Sequence, residues 1–327
     1  MKFCIIGCGL IGQKRARAIS KKYFISWVVD KNLTSAENLS KQYKGCNYTN
    51  SWKEAIESSM TDAIIIALPH DLLEMVALFS IKKNKPTFIE KPGAISAKSM
   101  KKILLVAKTA NVTVKIGYNH RFHPTILKAK EIINAETIGD LMYVRGRYGH
   151  GGRKGYDKEW RSKKSISGGG ELLDQGSHLI DLSQMFLGDL NKVSGKIYNY
   201  FWNMEVEDNA FISLENEKGQ SAWLHASWTE WKNLFSFEIF GKKGKLQIDG
   251  LGGSYGVEKL TLFKMLPELG PPETTFWEYP VEDKSWNIEI DNFVDSISNC
   301  NNSDGSLENA LYVLKVINQI YQQNTNK

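Results

Sequence analysis

The stretch that decides the fold is "KFCIIGCGLIG", Lys2–Gly12, a short apolar run that leads into a glycine-rich turn. Gly7, Gly9 and Gly12 are spaced as G-x-G-x-x-G, and a helical pattern, Leu10–Lys22, follows them. A strand before the glycines and a helix after them is the context in which this motif binds a dinucleotide. The first glycine permits a tight turn, the second lets the backbone approach a pyrophosphate, and the third lets helix and strand pack closely. The helix N-terminus offers N–H donors to the phosphates.

A carboxylate follows the glycines at the distance that a ribose requires. The next apolar run, "ISWVVD", ends in Asp30, about 20 residues beyond the motif. A carboxylate there accepts hydrogen bonds from the ribose diol of NAD and repels the 2′-phosphate of NADP. Lys31 could attract that phosphate, but a single lysine is a weak argument for NADP. We therefore predict NAD in preference to NADP. The alternative interpretation is a glycine-rich loop beside a surface carboxylate.

Strands and helices alternate through the rest of the first third. "AIIIAL", Ala63–Leu68, is continuously apolar, as is typical of a central parallel strand buried on both faces. Two more strands, Thr87–Glu90 and Val112–Tyr118, each follow a helical segment. This order predicts an α/β fold with a doubly wound parallel sheet, a Rossmann dinucleotide-binding domain over residues 1–120. Ligands of such sheets bind outside the carboxyl ends of the strands.

The pattern changes beyond residue 120. A helical segment, a strand at Leu141–His150 and a long polar loop precede a stretch, Val193–Leu262, in which apolar and polar residues alternate between turns. That alternation predicts a large, mostly antiparallel open sheet with one face against helices. Two helical segments, Ile288–Ser298 and Leu307–Gln322, close the chain. We predict a second α/β domain over residues 121–327.

Three ionisable residues follow a glycine run in "GGGELLDQGSHLID", Gly168–Asp181. Asp174, His178 and Asp181 have the spacing i, i+4 and i+7, which predicts that they share one face of an α-helix. Lys91, in "EKP" at the end of a predicted strand, is restrained by the proline that follows it. A buried core histidine and a solvated loop lysine are the ordinary interpretations of such residues taken singly.

The combination of "GCGLIG", "EKP", "GYNHRFHP" and "GGGELLDQGSHLIDL" resembles the glucose–fructose oxidoreductase, inositol dehydrogenase and rhizopine-catabolism (Gfo/Idh/MocA) family over essentially the whole chain. The glycine motif is shared with many folds, whereas EKP together with the D-x-G-x-H segment is far more specific. The resemblance implies an NAD(P)-dependent oxidoreductase that acts on a secondary alcohol or ketone of a sugar or polyol. It also implies a Rossmann domain followed by an α/β domain.

The resemblance assigns roles to the residues of these motifs. His178 would be the general base that accepts the hydroxyl proton, because imidazole has an ordinary pKa of about 6.5. Lys91 would hold the same oxygen, and Asp174 would bond substrate hydroxyls or hold the geometry. Asp181 would orient the imidazole or serve the structure alone. Gly168–Gly170 would let the backbone lie close to nicotinamide or substrate.

Further residues complete the predicted site. The residues expected to contact the cofactor are Gly7, Gly9, Leu10, Ile11, Gly12, Asp30, Leu68, Pro69, His70, Glu90, Lys91 and Asn119. Those expected to contact the substrate are Tyr118, Arg121, Trp160, Arg161, Asp174 and His178. A core tyrosine, a helix cap, a surface ion pair and a solvated loop remain the structural alternatives for several of them.

Composition limits the other possibilities. The net charge of +6 on 327 residues, without a long basic run, argues against nucleic-acid binding. Cys4, Cys8, Cys46 and Cys300 are scattered and show no zinc spacing, so no metal site is predicted. The sequence contains no apolar run of membrane-spanning length and no signal-peptide pattern, so we expect a cytoplasmic protein. The resemblance implies that the second domain binds substrate and mediates assembly into a homodimer or homotetramer.

Substrate identity is left open by the sequence. Eight cations lie between residues 145 and 164, namely Arg145, Arg147, Arg153, Lys154, Lys158, Arg161, Lys163 and Lys164. Such a rim could receive a nucleotide-linked sugar, or it could be a solvated charged loop. Two other functions remain open: a dinucleotide-bound sensor or regulator of the same fold, and a keto-sugar reductase that uses the same residues in the opposite direction.

Overall fold

The computed structural model describes residues 1–280, 282–299 and 305–325, and Cys300 lies outside them. The chain divides into two compact units. The first unit contains Met1–Tyr118 and Trp286–Leu311, and the second contains Asn119–Ser285 and Tyr312–Lys327. The sequence suggests one boundary near residue 120 with everything beyond it in the second domain. In the structure the segment that begins at Trp286 packs with the first unit.

The elements follow one another in the order expected of two α/β units. The strands are β1 Lys2–Ile6, β2 Phe24–Val29, β3 Asn47–Thr49, β4 Ala63–Ile66, β5 Thr87–Glu90, β6 Val114–Gly117, β7 Leu141–Gly149, β8 Lys192–Tyr198, β9 Asn209–Glu215, β10 Ser221–Ser227, β11 Leu234–Gly241, β12 Gly244–Asp249, β13 Glu258–Lys264 and β14 Glu273–Tyr279. The helices are α1 Leu10–Ser20, α2 Leu33–Ser40, α3 Trp52–Glu57, α4 His70–Lys82, α5 Ala97–Ala110, α6 Pro124–Asn134, α7 Lys164–Ser167, α8 Glu171–Asp174, α9 Gly176–Leu187, α10 Ser285–Asn299 and α11 Leu307–Thr325. Short 3-10 helices span Asn119–Phe122, Tyr156–Lys158 and Trp160–Ser162.

The first unit is a six-stranded parallel sheet in the order β3-β2-β1-β4-β5-β6. All four residues of β4 are buried, as its continuous apolar sequence predicts. The core joins side chains of β1 and α1 to Ile290 and Phe293 of α10. The predicted Rossmann fold is confirmed, and α10 completes its core from the far end of the chain.

The second unit is an eight-stranded sheet in the order β14-β13-β12-β11-β7-β10-β9-β8. Its neighbours are antiparallel except for the parallel pair β7 and β10. Gly146 of β7 lies against Leu179 of α9, where an added Cβ would be 3.1 Å from the leucine Cδ2. The predicted large, mostly antiparallel sheet with helices on one face is confirmed.

The register places several strand ends at one edge of this sheet. Tyr198 pairs with Asn209, Asn209 with Ser227, Ser227 with Gly149, and Gly149 with Leu234. The loops that leave β7, β8 and β10 therefore start side by side, and we call this the loop edge of the sheet. The long polar loop after β7 begins there.

The helix predicted to carry Asp174, His178 and Asp181 on one face is two helices. Asp174 is the last residue of α8, while His178 and Asp181 belong to α9. The hydroxyl of Ser177 donates to the Asp174 carbonyl, at 2.9 Å, and the His178 N–H donates to Gln175, three residues back. A side-chain hydroxyl thus takes the carbonyl that a continuous helix would have used. The single-helix prediction is wrong for Asp174.

Among the residues that the structure describes, no helix is long and apolar enough to cross a bilayer.

Candidate active site

The glycine turn of the first unit uses two of its glycines for packing. The N–H of Gly7 donates to the carbonyl of Val29, at 2.8 Å, and its φ of +103° lies in the left-handed region. A Cβ on Gly7 would lie 2.2 Å from the oxygen of Ala67, and one on Gly12 would lie 1.8 Å from the oxygen of Gly7. Larger residues at either position would displace backbone. The turn can close only because both side chains are absent.

Gly9 is different, because its missing side chain leaves open space. A Cβ on Gly9 would have no other part of the described chain within 4 Å beyond its sequence neighbours. Leu10 and Ile11 begin α1 directly afterwards, and the first turn of the helix consists of uncharged residues. Helix N–H groups without intrahelical partners and an empty approach to the backbone are what a pyrophosphate requires. These residues fit a bound dinucleotide.

Asp30 is held in position by backbone N–H groups. Its Oδ2 accepts from Cys8, between the first two glycines, and its Oδ1 accepts from Asn32, each at 2.9 Å. Each carboxylate oxygen can accept more than one hydrogen bond, so both retain capacity for a ribose hydroxyl. The carboxylate is thus fixed at the end of β2, beside the glycine turn.

Leu68, Pro69 and His70 follow β4 at the same edge of the parallel sheet. The Cδ2 of Leu68 would lie 3.3 Å from a Cβ on Gly7, so this segment borders the glycine turn. Pro69 is the residue before α4, and His70 is the buried first residue of that helix. The structure therefore brings Leu68 to the glycine turn, and contacts of Pro69 and His70 with the cofactor stay predictions.

Glu90 takes part in a buried ion-pair network that sequence reasoning missed. The Arg15 side chain of α1 lies 2.5 Å from Glu90 Oε1 and 2.6 Å from Glu289 Oε2. The guanidinium is stacked between the rings of Phe88 and Trp286. Burial lowers the pKa of Arg15, but the two carboxylates outweigh it and raise the pKa. The network joins the helix of the glycine motif to the EKP strand end, where Lys91 is the next residue.

In the second unit, Arg121 and Asp181 form a buried bidentate ion pair. Arg121 Nε and Nη2 donate to the two carboxylate oxygens at 2.8 and 2.7 Å. The side chains are 4 % and 0 % exposed. Asp181 therefore anchors Arg121, which corresponds to the structural role left open for the aspartate. The contact of Arg121 with substrate stays a prediction.

His178 is buried in a cluster of aromatic rings. Its imidazole stacks on His120, with ring centroids 3.6 Å apart and planes inclined by 19°. Tyr148 lies edge-on to His178, at 6.1 Å, and Tyr255 lies 5.1 Å from Tyr148. Burial raises the pKa of Tyr148 well above its usual range, with Tyr255 as the next cause. The tyrosine therefore remains a neutral hydroxyl near neutral pH.

Asp174 lies with two of the predicted substrate residues. Arg161 Nε is 3.3 Å from Asp174 Oδ2, and the guanidinium lies over the ring of Trp160, 4.5 Å from its centroid. Burial lowers the pKa of nearby His150, and the charge of Asp174 opposes that shift. An aspartate, an arginine and an indole thus form one partly exposed group, suited to binding a hydroxylated ring by hydrogen bonds and stacking.

Two family descriptions match the chain, one in each part. The description "Oxidoreductase family, NAD-binding Rossmann fold" matches residues 1–118, and "GFO/IDH/MocA C-terminal domain" matches residues 126–247. The chain belongs to the Gfo/Idh/MocA family. It is thus a member of an oxidoreductase family whose first domain binds NAD.

Individual relatives are distant. An oxidoreductase of Streptococcus pneumoniae is 25 % identical over 76 % of this chain and 72 % of its own length. Levoglucosan dehydrogenase of Pseudarthrobacter phenanthrenivorans is 23 % identical over 66 % of this chain and 58 % of its own length. The scyllo-inositol 2-dehydrogenase (NAD(+)) of Bacillus subtilis is 25 % identical over 75 % of this chain and 70 % of its own length.

Solved structures agree with the family fold over the whole chain. A levoglucosan dehydrogenase in complex with NADH and levoglucosan superposes with a TM-score of 0.90, covers 100 % of this chain and 97 % of its own, and is 19 % identical. An oxidoreductase of Desulfitobacterium hafniense, described as a putative NADPH-dependent enzyme, superposes with a TM-score of 0.89 at 21 % identity. It covers 100 % of this chain and 96 % of its own. At such identities the likeness shows the fold alone.

Gly169 and Gly170 of the glycine run pack against residues of the same unit. A Cβ on Gly169 would lie 1.9 Å from the Tyr321 hydroxyl, and one on Gly170 would lie 2.0 Å from the Glu207 carbonyl. The Tyr321 hydroxyl and the Gly170 N–H both donate to Glu207 Oε1, at 2.7 and 3.1 Å. Gly169 and Gly170 therefore leave room for Tyr321 and Glu207 of the same unit, and the approach of this backbone to a ligand stays a prediction.

Tyr118 and Asn119 lie where the chain passes from the first unit to the second. Tyr118 is fully buried, which agrees with the core-tyrosine alternative. Asn119 Nδ2 donates to Ser285 Oγ at 3.1 Å, and its Oδ1 lies 3.2 Å from His120 Nδ1. Asn119 thereby holds the imidazole that stacks on His178. Its contact with the cofactor stays a prediction.

Sequence reasoning missed His120, Tyr148, His150 and Tyr255. His120 lies within the quoted "GYNHRFHP", and Tyr148 and His150 end a predicted strand, so a search for ring residues at strand ends would have found them. Tyr255 lies in a loop without a motif. Within the described ranges, no group of three His, Cys, Asp or Glu side chains is placed to hold a metal ion.

Proposed function

We propose that this chain transfers a hydride between a nicotinamide dinucleotide and a secondary alcohol or ketone of a sugar or polyol. The observation that carries the proposal is the open space over the Gly9 backbone, beside the fixed carboxylate of Asp30. The chain also belongs to a family of NAD-binding oxidoreductases. The names of two relatives, a levoglucosan dehydrogenase and a scyllo-inositol dehydrogenase, support a sugar or polyol as substrate.

In the proposed reaction a side chain of the protein accepts the hydroxyl proton, and the nicotinamide of the cofactor accepts the hydride. His178 accepts the hydroxyl proton of the substrate as the C–H bond is broken, and buried rings on two sides fix the plane of its imidazole. Lys91 stabilises the charge that develops on the same oxygen. Asp174, with Arg161 and Trp160, orients the remaining hydroxyls. The reverse reaction, reduction of a keto-sugar, uses the same groups.

We propose NAD rather than NADP as the cofactor. Asp30 is fixed by two backbone N–H groups, so it cannot turn away from a ribose 2′-phosphate without losing both hydrogen bonds. Asp30→Ser should lower the affinity for NAD⁺ and raise that for NADP⁺, with equilibrium binding of each as the measurement. Tighter binding of NADP⁺ by the wild type would reverse the assignment.

We propose a neutral substrate rather than a nucleotide-linked sugar. Three of the arginines in the basic stretch have carboxylate partners: Arg145 with Glu238, Arg153 with Glu159, and Arg161 with Asp174. A phosphate would have to compete with these contacts. The exposed lysines of the stretch are consistent with a solvated loop.

The decisive experiment measures NADH formation and consumption with a panel of sugars and polyols and their keto forms. His178→Asn and Lys91→Met should each lower kcat by roughly 10²- to 10⁴-fold, and His178→Asn should leave the Kd for NAD⁺ unchanged. His225→Asn is the matched control, because His225 bonds Asn209 on β9 and has no assigned role. A wild-type protein that binds NAD⁺ but turns over no member of the panel would favour the sensor. Size-exclusion chromatography with light scattering tests the proposed dimer or tetramer.

A further inference from the structure

Two large aromatic side chains stand exposed at the loop edge of the second sheet. Phe201, in the loop after β8, is 60 % exposed, and Trp231, in the loop after β10, is 64 % exposed. Their ring centroids are 4.8 Å apart and the planes are inclined by 83°. We call Phe201 and Trp231 the aromatic pair. The two rings contact each other edge to face, and each remains more than half exposed.

The backbone of Trp231 is strained. Its φ is +57°, in the left-handed region that asparagine and glycine accept and that bulky residues rarely adopt. Four other described residues share this conformation: Asn84 and Asn111, which are of a type that tolerates it, and Glu136 and Leu269, which are not. An exposed indole adds little to a core, so core packing does not account for a tryptophan here. Strain of this kind persists mainly where a ligand contact needs the side chain in one place.

The loop that carries Phe201 is rigidly held. Asp208 accepts hydrogen bonds from the N–H groups of Tyr200, Phe201 and Trp202, at 2.9, 2.8 and 3.0 Å. Trp202 Nε1 donates to the Trp228 carbonyl at 3.0 Å. The backbone that carries Phe201 is therefore fixed before any ligand arrives, which lowers the ordering cost of binding.

The aromatic pair is continuous with the group around Asp174. Phe201 lies 5.2 Å from the ring of Trp202, which lies 5.8 Å from the ring of Tyr156. Tyr156 in turn lies 5.5 Å from His150, at the end of β7. The charge of Asp174 acts on both Tyr156 and His150. Tyr156 is 2 % exposed, so these rings connect the two places through the interior of the unit, and the aromatic pair is the solvent-exposed end of the row.

Gly151 and Gly152 allow this row to form. A Cβ on Gly151 would lie 3.0 Å from the Trp231 Cα, and one on Gly152 would lie 2.5 Å from Trp202 Cζ2. The loop after β7 therefore seats directly against both tryptophans. It is the same loop that carries Trp160 and Arg161.

We propose that the aromatic pair is a subsite for a second sugar ring, so that the substrate is a glycoside longer than one ring. The proposal rests on the proposed function. The C–H face of a pyranose is flat, apolar and uncharged, and exposed aromatic rings bind such faces by stacking and burial. Arg153, the cation over Tyr156, is already paired with Glu159, which favours a neutral ring over a phosphorylated group.

The first test separates one ring from two. Cellobiose, maltose and lactose are compared with glucose and galactose as substrates of the wild type, Trp231→Gly and Phe201→Ala. Each variant should raise the KM of any disaccharide substrate roughly tenfold, the effect of one lost stacking contact, and leave the KM of the monosaccharide unchanged. Trp231→Gly suits this test because glycine accepts the left-handed backbone. Trp223→Ala, which removes a tryptophan that is also 60 % exposed on β10, is the matched control.

A second readout does not depend on turnover. In protein labelled with 5-fluorotryptophan, the ¹⁹F signal of Trp231 is the one missing from Trp231→Gly, and it should shift on addition of cellobiose while the signal of Trp223 does not. If no sugar is turned over but this shift appears, the proposed function fails and the subsite stands. Unchanged disaccharide KM values in both variants, a shift caused by uridine or adenosine but by no disaccharide, or a Trp231 signal that responds only to protein concentration would each overturn the subsite.

Discussion

Two glycines of one motif should respond in opposite ways to the same substitution. A methyl group on Gly12 meets the carbonyl oxygen of Gly7, whereas one on Gly9 points into open space. Gly12→Ala should therefore destabilise the protein by more than about 2 kcal/mol through overpacking. Gly9→Ala should change the free energy of unfolding by less than about 1 kcal/mol, because its φ of −70° suits alanine, yet weaken NAD⁺ binding at least tenfold.

The measurements are urea denaturation and NAD⁺ titration on the same two variants. Normal affinity for NAD⁺ in Gly9→Ala would show that the pyrophosphate does not approach this backbone. A stable Gly12→Ala would show that the turn can relax by more than the structure suggests.

The buried pair Arg121 and Asp181 makes a different prediction about stability. Asp181→Asn leaves a buried guanidinium without its charge partner, so it should cost about 3–5 kcal/mol in urea denaturation. Arg121→Met combined with Asp181→Leu should recover most of that loss, because both charges of the pair are then removed together. Glu131→Gln, which removes an exposed partner of Lys128 on α6, should change stability by less than about 0.5 kcal/mol. A double variant as unstable as the single one would contradict this account.

The sequence predicts which residues lie at strand ends, but it does not predict which distant side chains they bind. The glycine turn and Asp30 follow from local spacing, and the structure places them together. The partners of Glu90 and Arg121 lie far away along the chain, and a buried ion pair leaves no periodic signal. Glu90 was therefore assigned to the cofactor, whereas its carboxylate holds Arg15. Its contact with a cofactor stays a prediction.

At the scale of elements, a glutamate of β13 holds the start of α6. Glu258 accepts from the N–H and hydroxyl of Thr125, at 3.1 and 2.6 Å, and lies 3.0 Å from His123 Nδ1. Burial raises the pKa of Glu258, but the hydrogen bonds from His123 and Thr125 outweigh it and hold the pKa below its usual range. The carboxylate form is therefore preferred in the folded protein.

This pKa shift fixes the sign of a pH dependence. An unfolded glutamate has a pKa of about 4.3, so the stability that Glu258 contributes is complete above that pH and is lost as the pH falls through the lower folded pKa. The difference in unfolding free energy between wild type and Glu258→Gln should be largest at pH 7 and shrink below about pH 4.3. Urea denaturation at a series of pH values measures it. A difference independent of pH would mean that shape, not charge, holds the helix.

Glu207 should show the opposite dependence. It is buried and accepts from Tyr321, Leu172 and Gly170, yet burial outweighs these bonds and raises its pKa. The folded protein therefore retains a proton that the unfolded chain loses above about pH 4.3. Relative to Glu207→Gln, the wild type should lose stability as the pH rises from that value. If the stability difference from wild type changed with pH in the same direction for Glu258→Gln and Glu207→Gln, one of the two pKa assignments would be wrong.

The elements that sequence analysis missed are short, apart from β14, a seven-residue strand that lies beyond the predicted alternating stretch. α2, β3 and α3 span 8, 3 and 6 residues, too few for a helical or alternating period to stand out. The long elements were predicted nearly to their ends. The break between α8 and α9 had no periodic signal either, because one hydroxyl, that of Ser177, interrupts an otherwise regular pattern.

At the scale of the whole chain, the first unit depends on residues far from its motif. Ile290 and Phe293 of α10 are buried in its core, and Phe293 lies 5.6 Å from the ring of Phe88 on β5. Sequence order alone assigns them to the second domain, because a helical pattern does not say which sheet covers its apolar face. Contacts between distant segments therefore decide which unit α10 belongs to.

Phe293→Ala should accordingly weaken the unit that carries the glycine motif. Loss of a fully buried phenylalanine costs about 3–5 kcal/mol, and the cavity lies under β5 of the parallel sheet. Hydrogen exchange should rise in peptides from β1, β4 and β5 and stay unchanged in those from β9 to β12, and saturating NAD⁺ should restore part of the protection because it binds the folded unit. Phe276→Ala, at a residue 57 % exposed on β14, is the control and should leave both sets unchanged. Faster exchange confined to β9–β12 would show that α10 stabilises the second unit, and the division of the chain proposed here would have to be redrawn.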